Sequence, residues 1–158
     1  MSRVTWLFTD GAIDEQVIIA VENSFGVRFP DDYRECIKKN NGGYPEPNIY
    51  DINDDEGGAV FDCLLSFTNK DANIEVVYEL TSLPEGIIPF ARDPFGGLIC
   101  FNYCDTKDSP SVVFYDQESV NEDKIKLICD SFSELIERLY SDWEKQNEQE
   151  RRLIVWGI

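Results

Sequence analysis

An acidic segment in the first half of the chain comes nearest to the spacing of a known chemical site. Asp51, Asn53 and Asp55 alternate as ligands do at the start of an EF-hand calcium loop, and Asp62 falls at the twelfth position. The sixth position holds Glu56 where that loop needs glycine, and the flanking residues predict a loop and a strand where two helices should stand. The sequence therefore predicts no bound metal, with a calcium- or metal-dependent enzyme kept as an alternative.

Histidine is absent from the chain. This excludes Ser-His-Asp and Cys-His catalysis, histidine metal ligation and the commonest general base near neutral pH. Cys100 and Cys104 are four positions apart, so on a strand they would lie about 13 Å from each other, too far to share a zinc ion. No GxGxxG or P-loop pattern occurs, and chance pairs of carboxylates are expected among 31 acidic residues. We therefore predict no catalytic residues and no cofactor.

The charge of the chain is one-sided, with 31 acidic and 14 basic residues and a formal net charge of −17. Such a field repels nucleic acid and anionic membranes and attracts basic partners, although much of it serves solubility. No Lys or Arg occurs from Asn40 to Asn69, and two tyrosines, which are frequent interface anchors, flank the acids of that segment. The predicted partner-binding residues are Tyr44, Tyr50, Asp51, Asp54, Asp55 and Glu56.

The cysteines and the first residues of the chain bear on the compartment. The five cysteines are odd in number and form no paired framework, which predicts free thiols in a reducing environment. The N-terminal sequence reaches Asp10 before a signal-peptide apolar region can form, and no stretch holds the roughly 20 apolar residues of a membrane helix. We therefore expect a cytoplasmic protein. The cysteines are Cys36, Cys63, Cys100, Cys104 and Cys129.

Two helices are predicted near the start of the chain. Apolar residues at helical spacing indicate the first helix over Ile13–Phe25, and Gly26 follows it as a C-terminal cap. Pro30 and the two aspartates after it favour the start of a second helix, which Asn40–Gly43 ends. The predicted buried face of the second helix is Tyr33, Cys36 and Ile37.

Strands are predicted for the middle of the chain. Prolines and glycines predict a long loop without regular structure from Gly43 to Gly58, and Ile74, Val77 and Tyr78 indicate a short helix. The segments Gly97–Tyr103 and Ser111–Tyr115 should pair as an antiparallel hairpin. The four predicted strands are Ala59–Phe67, Ile87–Phe90, Gly97–Tyr103 and Ser111–Tyr115.

A capping box at Ser131–Glu134 predicts a closing helix. Its expected apolar face is Phe132, Leu135, Ile136, Leu139, Tyr140 and Trp143. We expect Phe132, Leu139 and Trp143 to share one core with Val17. The order of elements predicts an α+β fold: a mainly antiparallel sheet with two N-terminal helices, one short middle helix and a long C-terminal helix packed on it.

Taken in order, several segments form a recognisable pattern. They are Trp6, the helix with Ile13, Val17 and Val21, Phe25–Tyr33, Asn41–Gly43, Ile88–Asp93 followed by Gly96-Gly97, Val113–Asp116 and Ser131-Phe132. This pattern resembles the SUKH superfamily, which includes cell-wall-assembly regulators of fungi and many bacterial immunity proteins. Residues 1–158 are thus predicted to be one such domain, with its core at about 6–143 and a polar stretch with an apolar tail at 144–158.

The resemblance implies an α+β domain without catalytic residues or cofactor. For a bacterial member it implies an immunity protein that neutralises a polymorphic toxin, often a nuclease, usually encoded beside it. A housekeeping scaffold, such as a cell-wall-assembly regulator, is the alternative. In either case the expected partner is another protein, with no direct contact to nucleic acid or membrane.

Overall fold

The computed structural model describes residues 4–52, 58–119 and 124–143. These residues form four helices and nine strands, and the strands pair mainly in the antiparallel direction. The predicted α+β class is therefore confirmed. In chain order the elements are β1 (Thr5–Leu7), α1 (Glu15–Phe25), α2 (Asp31–Asn40), β2 (Tyr44–Glu46), β3 (Ile49–Tyr50), β4 (Ala59–Val60), β5 (Cys63–Leu64), α3 (Ile74–Thr81), β6 (Ile87–Arg92), β7 (Leu98–Asn102), β8 (Ser111–Tyr115), β9 (Ile125–Cys129) and α4 (Phe132–Arg138).

The strands form one sheet and two short ribbons. The sheet is antiparallel and its five strands lie in chain order from β5 to β9. Short connections join successive strands from β6 to β9, as neighbouring strands favour, whereas α3 lies between β5 and β6. The predicted hairpin of β7 and β8 lies at its centre, with Cys100 opposite Val113. The ribbons are the antiparallel pairs β1–β2 and β3–β4.

The two N-terminal helices begin and end as their sequences predict. The Asp14 side chain caps α1 by accepting a hydrogen bond from the Val17 N–H at 3.2 Å, and Gly26 ends it with φ +70°. Helix α2 follows Pro30 and carries acids in its first turn and lysines in its last turn, which complements the helix dipole. The predicted short middle helix is confirmed as α3.

The core lies between the helices and one face of the sheet. Tyr33 of α2 is fully buried, and its ring packs against the rings of Phe90, Phe101 and Phe132 at centroid distances of 5.2–5.5 Å. Asp32, one residue earlier, accepts hydrogen bonds from the Ser133 N–H at 2.9 Å and hydroxyl at 2.7 Å and so links α2 to α4. The opposite sheet face buries a second cluster, Ile87, Leu98, Cys100, Val113 and Tyr115.

The structure corrects the predicted loop between Gly43 and Gly58. Strands β2 and β3 lie there, because β2 pairs with β1 about forty residues earlier and β3 pairs with β4. Pro45 stands opposite Trp6, and a proline is tolerated on such an edge strand, where its missing N–H breaks no sheet ladder. The predicted single strand Ala59–Phe67 is divided into β4 and β5, and β9 is a further strand that the sequence pattern did not predict.

The closing helix is shorter than predicted. The capping box is present, since Ser131 Oγ accepts from the Glu134 N–H at 3.1 Å, but α4 ends at Arg138. Leu139 turns to an extended conformation, and the main chain of Tyr140 then pairs with that of Ile49. Phe132 and Leu139 lie in the core and Val17 packs against it, as expected. Trp143 is 70% exposed, so its predicted place in that core is wrong.

Candidate interaction surface

The predicted acidic segment is described by the structure only at its two ends. Asp51 directly follows β3 and Gly58 directly precedes β4, so they stand at the base of the loop that joins the two strands of the β3–β4 hairpin. Asp54, Asp55 and Glu56 lie outside the described residues, as does Asn53 of the calcium-like pattern. Of the four predicted partner-binding acids, the structure thus describes Asp51.

Asp51 is exposed, and a residue distant in the sequence holds its carboxylate in place. The Tyr140 hydroxyl donates a hydrogen bond to Asp51 Oδ1 at 2.7 Å. Burial, this hydrogen bond and the charges of Asp51 and Asp142 together raise the pKa of Tyr140 to about 12, so the phenol stays a hydrogen-bond donor well into the alkaline range. We call Asp51, Gly58, Tyr140 and Asp142 the hairpin base. It presents two carboxylates near one tyrosine.

The two predicted tyrosine anchors have different environments. Tyr50 is 1% exposed and belongs to the core, where it cannot contact a partner directly. Its hydroxyl has no hydrogen-bond partner among the described residues. The prediction missed this because which side chains of a short strand point inward depends on its pairing. Tyr44 at the start of β2 is half-buried and keeps an accessible edge.

Tyr44 lines a second feature, which we call the aromatic cleft. This cleft has a volume of about 280 Å³ and is lined among others by Phe8, Asp10, Tyr44, Asn69 and Arg92. The Phe8 ring stands edge-on to the Tyr44 ring with centroids 6.0 Å apart. Arg92 Nε lies 3.3 Å from Asp62 Oδ2, so the cation of the cleft is already paired. Asp10 is exposed and leaves its negative charge at the opening.

Phe8 and Tyr140 are parts of this surface that the sequence did not indicate. Tyr140 has the spacing of a helical core residue, and only the early end of α4 brings it to Asp51. Phe8 has φ +55°, and no residue pattern predicts a positive φ for a phenylalanine.

A larger cleft of about 1200 Å³ lies between the end of α1 and the residues that follow β7. Its buried carboxylate, Glu22, is fully engaged: Oε2 accepts from the Phe29 N–H at 2.6 Å and from Arg34 Nε at 3.1 Å, and Oε1 accepts from Arg34 Nη2 at 3.1 Å. Glu22 thus joins α1 to α2, and its oxygens are occupied by structural hydrogen bonds.

Potential metal-binding side chains and cysteine thiols are the other chemical groups of note in the described ranges. Residues 4–52, 58–119 and 124–143 hold no group of three or more Cys, Asp or Glu side chains that could bind a metal ion. All five cysteines are free, as predicted. Burial raises the pKa of Cys36 to about 12 and that of Cys129 to about 11, which keeps both as unreactive thiols. Within the same ranges, no helix combines the length and apolar character of a membrane span.

The α+β fold is the one that the resemblance implied for a protein-interaction domain of the SUKH superfamily. The model of the SMI1 / KNR4 family (SUKH-1) matches residues 12–138. This match covers most of the chain, from the residues before α1 to the end of α4, and the chain therefore belongs to the SMI1/KNR4 family. A comparison with curated proteins gives no match.

Proposed function

We propose that this protein is a non-enzymatic immunity protein that binds and neutralises a basic toxin domain in the cytoplasm. The observation that carries the proposal is the hairpin base, where the Tyr140 hydroxyl donates a hydrogen bond to the exposed Asp51 and the charges of Asp51 and Asp142 both act on Tyr140. Asp51 lies in a stretch without Lys or Arg from Asn40 to Asn69, in a chain of net charge −17. Membership of the SMI1/KNR4 family supports a protein partner.

Electrostatics indicates the kind of toxin. Enzymes that cleave nucleic acid carry basic clefts, and an acidic protein associates with such a cleft quickly because its field steers the encounter. The same field opposes direct binding of the immunity protein to nucleic acid. A nuclease domain is therefore the toxin that the charge fits best.

A housekeeping scaffold in cell-wall assembly is the second candidate, because the SMI1/KNR4 family supports either kind of interaction domain. The adjacent genes distinguish the two. A neighbouring gene for a large secreted protein with a variable C-terminal domain favours immunity, whereas a cell-wall neighbourhood favours the scaffold. Calorimetric titration with calcium tests the remaining enzyme alternative, and heat of binding there would count against both proposals.

The test of the proposal is the association rate with a toxin domain. The probe is the C-terminal domain encoded by the adjacent toxin gene, carrying an inactivating substitution. Replacing Asp51, Asp54 and Asp55 by Asn and Glu56 by Gln should slow association by about tenfold or more at low salt, and the difference should shrink as ionic strength rises. Folding stability should stay nearly unchanged, since the asparagine that replaces Asp51 can still accept a hydrogen bond from the Tyr140 hydroxyl.

A matched control removes four exposed acids outside the two ribbons, with the same change in net charge. The control replaces Glu79 and Glu85 by Gln, and Asp105 and Asp108 by Asn. Stopped-flow kinetics should show a much smaller effect for the control. Equal slowing by both variants would mean that only net charge matters, and equal rates for the hairpin variant and the unmodified protein would move the binding face elsewhere.

A further inference from the structure

Phe8 is an exposed aromatic residue held in an unfavourable backbone conformation. Its φ of +55° lies in the left-handed region, which bulky side chains rarely adopt and which costs on the order of 1–3 kcal/mol. The chain on both sides imposes it: Leu7 pairs with Tyr44 in the first ribbon, and the Asp10 N–H donates to the Asn41 carbonyl at 2.7 Å. The fold thus holds Phe8 in a strained position without burying its ring.

The ring is 81% exposed, as are two other large apolar side chains of the described residues, Leu80 and Phe95. Isolated exposed apolar residues are common and need no explanation. Phe8 differs because it combines the strained backbone with an edge-on contact to Tyr44 and a place at the aromatic cleft. The exposed carboxylate of Asp10 lines the same cleft.

We propose that Phe8 is the central anchor of the partner interface. Its ring enters an apolar pocket of the basic toxin domain, and a Lys or Arg at the rim of that pocket pairs with Asp10. This inference rests on the proposed function and deepens it by naming the chemistry of the contact. Aromatic residues dominate the energies of interfaces, and a residue whose backbone is already held during folding loses less freedom on binding.

Tyr44, which contacts the Phe8 ring, and Asp51 of the hairpin base are close enough to lie within one interface. Tyr44 and Asp51 are seven positions apart in the chain, so their Cα atoms lie at most about 25 Å from each other. An interface of standard size buries about 800 Å² on each partner, a patch roughly 30 Å across. One toxin domain can therefore contact Phe8 through its pocket and Asp51 through its basic rim.

The experiment compares three variants for binding to the inactive toxin domain used above. Phe8→Ala should weaken the equilibrium affinity by about 30-fold or more, mainly through faster dissociation. Phe8→Gly should lose as much affinity without losing stability, because glycine adopts a positive φ freely. Phe95→Ala removes an equally exposed ring and should change the affinity by less than about twofold.

Each result decides the inference. If the unmodified protein binds the toxin domain and both Phe8 variants bind equally well, the anchor is refuted and the proposed function stands. If Phe95→Ala weakens binding as much as Phe8→Ala, the loss of any exposed aromatic ring reduces the affinity equally, and the anchor is refuted. If the unmodified protein does not bind, the proposed function fails and the anchor with it. A dimer in sedimentation that Phe8→Ala dissociates would assign the ring to a second copy of this chain and refute the anchor.

Discussion

The buried ion pair of Glu22 and Arg34 ties the two N-terminal helices together. Both side chains are 7% exposed, and Arg34 Nη1 also reaches the exposed Glu15 at 3.0 Å. The hydrogen bonds that Arg34 donates to Glu22 raise the pKa of Arg34, and the one that it donates to Glu15 lowers the pKa of Glu15. Glu22 also accepts a hydrogen bond from the Phe29 N–H, and Phe29 lies in the connection between α1 and α2. Glu22 therefore holds this connection in place in addition to joining the two helices.

Replacing Glu22 by Gln should therefore destabilise the protein by about 3–5 kcal/mol, because Arg34 would stay buried without its main counter-charge. Urea denaturation measures this loss. The control is Glu15→Gln, which removes an exposed partner of the same arginine and should have a much smaller effect. Equal losses for the two variants would show that Glu22 contributes no more than a surface charge.

The segment after α4 links this helix to the β3–β4 ribbon and to the hairpin base. Helix α4 ends at Arg138, and the main-chain groups of Tyr140 and Ile49 exchange hydrogen bonds of 2.8 and 3.0 Å. Leu139, which lies between Arg138 and Tyr140 in the chain, is fully buried. Its packing thus keeps Tyr140 in position to hold Asp51.

Leu139→Ala should cost about 2–5 kcal/mol of unfolding free energy, as expected for a truncated core leucine. Trp143→Ala, at a site that is 70% exposed, should cost less than about 0.5 kcal/mol. Chemical denaturation of the two variants checks both values. A loss under half a kcal/mol for Leu139→Ala would contradict the packing of this segment.

Two thiols and one phenol that are buried or partly buried should make the folding stability of the whole protein fall at alkaline pH. Burial raises the pKa of Cys36 from 9.0 to about 12 and that of Cys129 from 9.0 to about 11, and it is the main cause that raises the pKa of Tyr140 from 10.0 to about 12. A group whose folded pKa lies above its unfolded value binds its proton more tightly in the folded state. Its stabilising contribution is complete below the unfolded pKa and is lost as pH rises through the folded one.

The free energy of unfolding should accordingly be insensitive to these groups below pH 8 and should fall steadily between about pH 9 and 12. Urea titrations at fixed ionic strength over that range measure the slope. Cys36→Ser and Cys129→Ser, combined, should flatten the part of the decline that begins near pH 9. An unchanged slope in this double variant would show that the thiols titrate alike in the folded and unfolded states.

Patterns within a few residues were enough to predict several helices and strands, and residue composition was enough to exclude histidine-based chemistry. Helices α1 and α2 and the start of α4 depend on apolar spacing, caps and dipoles within a few residues, and the β7–β8 hairpin depends on two neighbouring β-rich segments. Charge and residue type alone also selected Tyr44 and Asp51 as surface candidates. The absence of histidine required no structure at all.

The tertiary structure decided whatever depends on pairing between distant segments. β2 exists because β1 lies beside it, and α4 ends early because Tyr140 pairs with Ile49 about ninety residues away. The same pairings send Tyr50 into the core and hold Phe8 at a positive φ, since a strand's inward face and a strained turn are both set by the partner strand. Local propensity carries no information about those partners, so Phe8 and Tyr140 could be recognised as parts of the candidate surface only in the folded chain.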